Sequence, residues 1–290
     1  MDMNKARILL YAIDSGSLTK TAAAFDYTPS GISHMMASLE AEVGFPLLIR
    51  TKRGVSPTEN ARRLLPVIRS LFEWDDYLRQ SISEINGLAQ GTLRIGTYAS
   101  IADQWLPKVL ARFHGDYPNI RIELHEGGRQ EIEDELLEHR ADLGFYSYRP
   151  GIRHQWVPLG TDPVVVAVPP GHRLAAKAAV RLRELAEETW IVPASGADAD
   201  IRKLLKEENA RPRQQLSARQ DSSALRMVEQ GMGVFLTNRL TAAGSERALK
   251  LLPLNPPMER TLGMAIPIEN RKIPAVSKFA AYAAELLQSN

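Results

Sequence analysis

The chain reads as an α/β protein in three parts: a small helical head with a hairpin, one long helix, and a body of alternating strands and helices. Three observations predict this. Residues 17 to 58 hold two short helical stretches and then a basic turn between apolar arms. Residues 58 to 86 carry an apolar stripe without a glycine. Residues 93 to 146 alternate as β-α-β-α-β, the order that favours a parallel sheet covered by helices.

Ser17 is a helix cap, and Leu18, Ala22 and Phe25 follow at i, i+4 and i+7, one face of a short helix. Asp26, Tyr27 and Thr28 break that period. Thr28-Pro29 restarts it, a capping hydroxyl followed by proline at the first helical position, where no N–H is needed. The second helix repeats the apolar spacing through Ile32, Met36, Leu39 and Val43. Two short helices about a tight turn fit a helix-turn-helix; on the apolar pattern alone they fit an ordinary helical hairpin equally well.

The next residues separate those readings. Gly44-Phe45-Pro46 stops the helix, Leu47-Leu48-Ile49 and Val55-Ser56 form the arms of a small hairpin, and Arg50-Thr51-Lys52-Arg53-Gly54 makes a cationic tip. A basic hairpin beside such a helix is a wing that lays guanidinium groups along phosphates or into a narrow minor groove. The candidate DNA-facing residues are therefore Pro29, Ser30, Ser33 and His34, with Ser17, Thr19 and Thr28 beside them, and Arg50, Lys52 and Arg53 in the wing.

From Thr58 to Asn86, Leu64, Ile68, Leu71, Asp75, Leu78, Ile82 and Ile85 alternate by four and three, a near-heptad seam over about 40 Å. A lone helix cannot bury that stripe, so it packs either on the chain's own body or on a partner helix. Pro66 removes one backbone bond within it. Gly87, Gly91 and Thr92 mark a hinge.

In the body, strand 93–97 leads to a helix at 103–113, strand 120–124 to a helix at 130–139, and then comes strand 142–146. Val164 to Val168 opens a second set. It continues through a helix near 181–186, strand 190–192, helices 199–208 and 222–230, and strand 234–236. Segment 262–266 and a last helix at 274–287 return to the first set. Ligands of such sheets sit beyond the carboxyl ends of the strands. Thr97, Tyr98 and Ser100 follow the first strand and offer hydroxyls and backbone N–H groups. Gly128 and Arg129 follow the second and offer close approach and a fixed charge. Tyr146 and Ser147 end a third strand, and Ser195 follows a strand of the other set. Each of these loops is equally a plain turn by composition.

Gly16-Ser17-Leu18-Thr19, the Ala22-Ala23 pair, the run from Ser33 to Leu39-Glu40, the Gly44 to Arg50 segment and Thr58-Glu59 together resemble the winged helix-turn-helix of LysR-type transcriptional regulators. The similarity extends over nearly the whole chain. It implies a two-lobed, periplasmic-binding-protein-like (type 2) effector domain after the long helix. It implies three regions: a DNA-binding domain at 1–58, a linker and dimerisation helix with hinge at 59–91, and an effector domain at 92–290. Within the last, lobe I would hold 92–161 and 267–290, and lobe II 162–266. It favours pairing of the long helix with a second copy through Leu64, Ile68, Leu71, Leu78 and Ile82, in a homodimer or homotetramer. It also implies double-stranded DNA, a small organic acid or similar metabolite, and RNA polymerase as partners. Pro29 and His34 depart from the family's usual glutamine and arginine, which removes two strong base-edge readers and leaves recognition to Ser30, Ser33, His34, the wing and DNA shape.

Composition bounds the other classes. Net charge is +2, from 36 cations and 34 acids, so there is no bulk basic signal; residues 1 to 63 hold 8 cations against 6 acids, the surplus lying in and just after the wing. With no cysteine, a disulfide framework, a thiol switch and a cysteinyl metal site are excluded. No apolar run suits a secretory signal or a membrane span, so a cytoplasmic protein is expected. The six histidines never fall at metal-ligand spacing, no catalytic or phosphate-loop motif occurs, and no cofactor, metal or enzymatic activity is expected. Two rivals remain: a solute-binding receptor, or an enzyme built on the α/β body, with the N-terminal helices serving only oligomerisation.

Overall fold

The computed structural model describes residues 2–51, 54–85, 90–193, 201, 204–206, 208, 214–218 and 220–288. The chain forms two compact units, residues 1–85 with 137–140, and residues 86–136 with 141–290.

In the first unit, helix α1 (Met3–Ser15) starts under the Asp2 carboxylate, which accepts from the Asn4 and Lys5 amides. Helix α2 (Leu18–Ala24) is capped by Ser17, and helix α3 (Pro29–Val43) by Thr28, with Pro29 in its first turn. Gly16 and Gly44 end α1 and α3 in the left-handed region, at φ 64° and 83°, where a side chain would strain the backbone. Ile8, Leu9, Ala22, Ile32, Met36 and Leu39 close the core between the three helices. Strands β1 (Leu48–Thr51) and β2 (Gly54–Pro57) pair antiparallel as the expected hairpin, and Leu47 and Leu48 plug its root into that core.

Helix α4 (Glu59–Ile85) runs on through Pro66. Its apolar stripe divides. Leu64, Ile68 and Phe72 pack against the head's own core, whereas Leu71, Leu78 and Ile82 are exposed, as are Trp74 and Ile85. The early part of the expected seam is therefore used within the chain, because α1 lies within reach of it. Asp75 also finds partners at home: Arg79 Nε donates to it at 2.9 Å, and Arg7 lies 4.0 Å away.

In the second unit, strands β3 (Gly91–Thr97), β4 (Ile120–Glu126) and β5 (Leu143–Ser147) are mutually parallel in the order β4-β3-β5. Helices α5 (Ala99–Gln104), α6 (Leu106–Asp116) and α7 (Arg129–Leu137) connect them. The single helix expected over 103–113 breaks at Trp105, because Pro107 has no N–H to donate back. The sheet is mixed rather than parallel: β11 (Glu259–Ile266) runs antiparallel to β5 and to the first part of β6 (Gln155–Val168).

Strand β6 is the element that joins the two sets. Residues 155–163 pair with β11, and residues 164–168 pair with β9 (Phe235–Asn238) and β10 (Lys250–Pro253). Val164 to Val168 are all buried, as a strand flanked on both edges should be. Strands β7 (Thr189–Pro193) and β8 (Gln214–Ala218) pair in parallel, and Trp190 bridges to Val234. Helix α8 (Asp221–Glu229) follows β8 and helix α9 (Pro274–Gln288) closes the chain. Three expectations shift. Residues 181–186 hold a short 3₁₀ turn, Leu182–Leu185, instead of a helix. Half of the expected helix 199–208 falls outside the described residues, with 201 and 204–206 helical within it. All of β11 belongs to the first set's sheet, so the return precedes residue 267.

Candidate DNA interface and effector site

The start of α3 projects from the head. Pro29, Ser30 and His34 are exposed and Ser33 is half-buried, while Ile32, Met36 and Leu39 turn into the core. Two hydroxyls there are partly engaged. Thr28 Oγ1 accepts from the Gly31 amide at 3.1 Å and shares a hydrogen bond with Ser30 Oγ at 3.1 Å. Ser17 Oγ accepts from the Lys20 amide at 3.3 Å, and Thr19 is exposed beside it. Arg50 is exposed on β1, one residue before Thr51, whose hydroxyl donates to the Gly54 carbonyl at 3.3 Å. Lys52 and Arg53 lie outside the described residues.

Sequence reasoning missed what holds this surface together. Glu40 Oε1 accepts from the Leu47 and Leu48 amides at 2.7 and 3.0 Å. Thr58 Oγ1 donates to the Pro46 carbonyl at 2.9 Å and accepts from the Ala61 amide, capping α4. Both residues stand in the motif runs read above, as letters without a stated job.

In the second unit, four expected residues converge at the carboxyl ends of β3, β4 and β5. Tyr98 Oη shares a hydrogen bond with Ser147 Oγ at 3.1 Å, and Arg129 Nη1 donates to the Ser147 carbonyl at 2.9 Å. The Arg129 guanidinium lies 5.4 Å from the centre of the Tyr146 ring. Tyr146 is fully buried, and its hydroxyl has no hydrogen-bond partner among the described residues. Burial pushes that phenol well above its ordinary range; the nearby Glu133 carboxylate adds to the rise and Arg129 opposes it.

The other expected residues are placed differently. Thr97 is buried, with its hydroxyl donating to the Tyr98 carbonyl at 3.1 Å. Ser100 is half-buried in α5. The Gly128 amide is taken by the chain's own Glu131 Oε2 at 2.7 Å. Ser195 falls outside the described residues. Two acids that were not singled out complete the electrostatics. Glu133 Oε1 accepts from Arg129 Nη2 and Nε at 2.8 and 3.1 Å, so the expected fixed charge is already paired. Asp162 holds Arg260, whose guanidinium lies 5.1 Å from the Tyr98 ring. The first pair was readable as an i,i+4 spacing on α7; the second joins residues 98 apart in sequence.

Residues 3–62 match the family described as bacterial regulatory helix-turn-helix protein, lysR family, and residues 86–288 match the LysR substrate binding domain. The chain belongs to the LysR family. It is a DNA-binding transcriptional regulator with an effector-binding domain. This LysR-family regulator is 25% identical over 289 residues to the uncharacterized HTH-type transcriptional regulator YvbU of Bacillus subtilis, covering 99% of each chain. It is 27% identical over 236 residues to the HTH-type transcriptional activator CmpR of Synechocystis sp., covering 79% of this chain and 76% of CmpR. Its fold is that of a full-length OxyR variant from Pseudomonas aeruginosa, with a TM-score of 0.73, 19% identity, and 98% and 94% of the two chains covered. The effector binding domain of QuiR, solved in complex with shikimate, matches 69% of this chain and 99% of its own, with a TM-score of 0.60 and 20% identity. Among the described residues, no helix is long and apolar enough to cross a membrane, and no group of three His, Asp or Glu is placed to hold a metal ion.

Proposed function

We propose that this regulator reads DNA with Pro29, Ser30, Ser33 and His34 in the major groove, while Arg50, Lys52 and Arg53 of the wing, with Ser17, Thr19 and Thr28, contact the backbone. The observation that carries this is the solvent-facing start of α3 above a core closed by Ile32, Met36 and Leu39. Two heads then span half-sites one or more helical turns apart, so the operator is a pseudo-palindrome. The second head comes from a second copy, joined along the exposed stripe Leu71, Leu78 and Ile82 of α4, with residues 59–91 as linker between a head at 1–58 and a body from 92 onward. RNA polymerase is a further partner in transcription, the protein works in the cytoplasm, and it catalyses no reaction.

Its effector is a small organic acid held by Tyr98, Arg129, Tyr146 and Ser147, with Thr97, Ser100, Gly128 and Ser195 bordering the cleft. Arg129 supplies the charge, and the buried Tyr146 hydroxyl offers a hydrogen bond that none of the described residues takes up. Shikimate on the QuiR domain is an acid of this class bound to a similar fold. Calorimetric titration with a panel of small carboxylates, followed by operator binding with and without the hit, tests this reading. It predicts that an acid binds and changes DNA affinity; binding confined to neutral or cationic compounds contradicts it. Selective enrichment of genomic fragments carrying inverted repeats tests the DNA half.

A further inference from the structure

A hairpin of two four-residue strands is not stable by itself, so whatever fixes the wing must lie outside it. Two attachments do this. On the return strand, the Val55 amide donates to the Gly16 carbonyl at 3.0 Å. A Cβ on Gly54 would collide with that same carbonyl, so the absence of a side chain at Gly54 lets β2 lie against the turn between α1 and α2. On the outgoing strand, the tie runs to the recognition helix itself. Glu40 sits in the last turn of α3, and one of its carboxylate oxygens accepts both the Leu47 and the Leu48 amides. Those residues are buried at 1% and 6% exposure, so their amides have no ready supply of water. Thr58 clamps the same root, its amide donating to the Leu47 carbonyl at 3.0 Å.

We infer that Glu40 is a positioning residue for DNA binding: it fixes the wing to α3, so that Arg50 meets a phosphate when Ser30, Ser33 and His34 meet the bases. A slip of one residue in β1 would move Arg50 by about 3.3 Å and turn it to the opposite face. The inference rests on the reading that α3 and the wing both face DNA. What Glu40 contributes is reach more than charge, because both hydrogen bonds end on a single oxygen. Glutamine retains that oxygen at the same distance. Aspartate retains the charge but is one methylene too short to serve both amides.

The test compares the full-length parent with Glu40→Gln, Glu40→Asp, Glu40→Ala and Arg50→Ala. Each is measured on a random-sequence duplex of about 30 base pairs and on fragments selected by the parent, over a range of salt. Glu40→Gln should bind within about threefold of the parent, while Glu40→Asp and Glu40→Ala bind about tenfold or more weakly, the loss expected when buried amides lose their acceptor. The salt slope of the two weak variants should shrink toward that of Arg50→Ala, a change that loss of stability alone would not produce in molecules still folded. Hydrogen exchange should find the Leu47 and Leu48 amides protected in the parent and in Glu40→Gln, and open in Glu40→Asp, whether or not Glu40→Ala folds. Full affinity and slope in Glu40→Asp, or fast exchange of those amides in the parent, would overturn the inference. If Arg50→Ala weakens binding while Glu40→Asp does not, only the positioning role falls. If Arg50→Ala also binds as the parent does, the wing's contact with DNA falls with it.

Discussion

The guanidinium of Arg260 and the carboxylate of Asp162 meet at 2.9 Å where β6 leaves β11 and begins to pair with β9 and β10. Both side chains are almost wholly buried, at 4% and 2% exposure. Asp162 also accepts from the Leu240 amide at 2.8 Å, so one carboxylate ties three segments of the effector domain together. Removing one member of such a pair leaves an uncompensated buried charge, which costs about 3–5 kcal/mol. Asp162→Ala is therefore expected to lower effector-domain stability by about that amount in urea unfolding, with DNA contacts of the head unchanged. A loss below about 1 kcal/mol, the range of an exposed pair, would mean that water reaches Arg260.

The divided stripe of α4 predicts two different outcomes from neighbouring substitutions. Ile68 is buried in the head's own core, so Ile68→Ala should cost about 2–5 kcal/mol of head stability. Leu78 and Ile82 are 57% and 49% exposed, so a charge there is not buried within one chain. Leu78→Asp or Ile82→Asp should leave the head folded and shift the species seen by sedimentation toward the monomer, with the thermal midpoint falling only by the stabilisation that association supplied. If the assembly survives both substitutions, its interface lies elsewhere.

Much of the head was legible because its signals are local. Thr28-Pro29 and Ser17 both cap where their residue types predict, and the periods of three and four place Ile32, Met36 and Leu39 in the core. The heptad stripe was equally plain, but a period does not say which partner covers it, and the head's own core covers its first turns. The mixed sheet was not legible for a related reason. An apolar run such as Val164–Val168 marks a buried strand without marking its direction, and the pairing of β11 with β5 and β6 joins segments about 100 residues apart. At the carboxyl ends of β3, β4 and β5, Tyr98, Arg129, Tyr146 and Ser147 were legible as strand-end residues that come together, whereas the acids that engage their neighbourhood were not. Glu133 neutralises Arg129 and Glu131 takes the Gly128 amide. Residue type at a strand end says what a group can bind, and the fold decides what it has already bound.

That occupancy leads to a third prediction. An acidic effector bound as proposed has to compete with Glu133 for Arg129. Glu133→Gln should tighten the binding of a carboxylate effector several-fold and leave a neutral ligand unaffected, since a hydrogen bond to an ionised group contributes about 1.5–3 kcal/mol. Arg129→Gln should abolish the acid's effect on DNA binding while DNA affinity without effector is kept. Calorimetry on both variants checks this; equal affinity across parent, Glu133→Gln and Arg129→Gln would remove Arg129 from the site.

A fourth concerns alkaline pH. The Tyr282 hydroxyl donates to Asp116 Oδ2 at 2.6 Å, and this bond, ahead of burial and the carboxylate's charge, pushes the phenol up to about 12. The folded-state value lies above the unfolded one, near 10. The contact between α6 and α9 therefore contributes in full below about pH 10, and its contribution is lost as pH rises through about 12. Absorbance titration should show two late-ionising phenols, Tyr146 and Tyr282, and only one of them in Tyr282→Phe. If Tyr282→Phe leaves the late-ionising amplitude unchanged, the bond to Asp116 is not maintained in solution.

Substituting Ser30, Ser33 and His34 together with alanine, and measuring the ratio of affinities for selected and random duplexes, tests whether the start of α3 selects the DNA sequence. The expected result is a ratio falling toward one, with random-sequence affinity, oligomeric state and effector binding held near those of the parent. A ratio unchanged from the parent would mean that sequence is read by another surface.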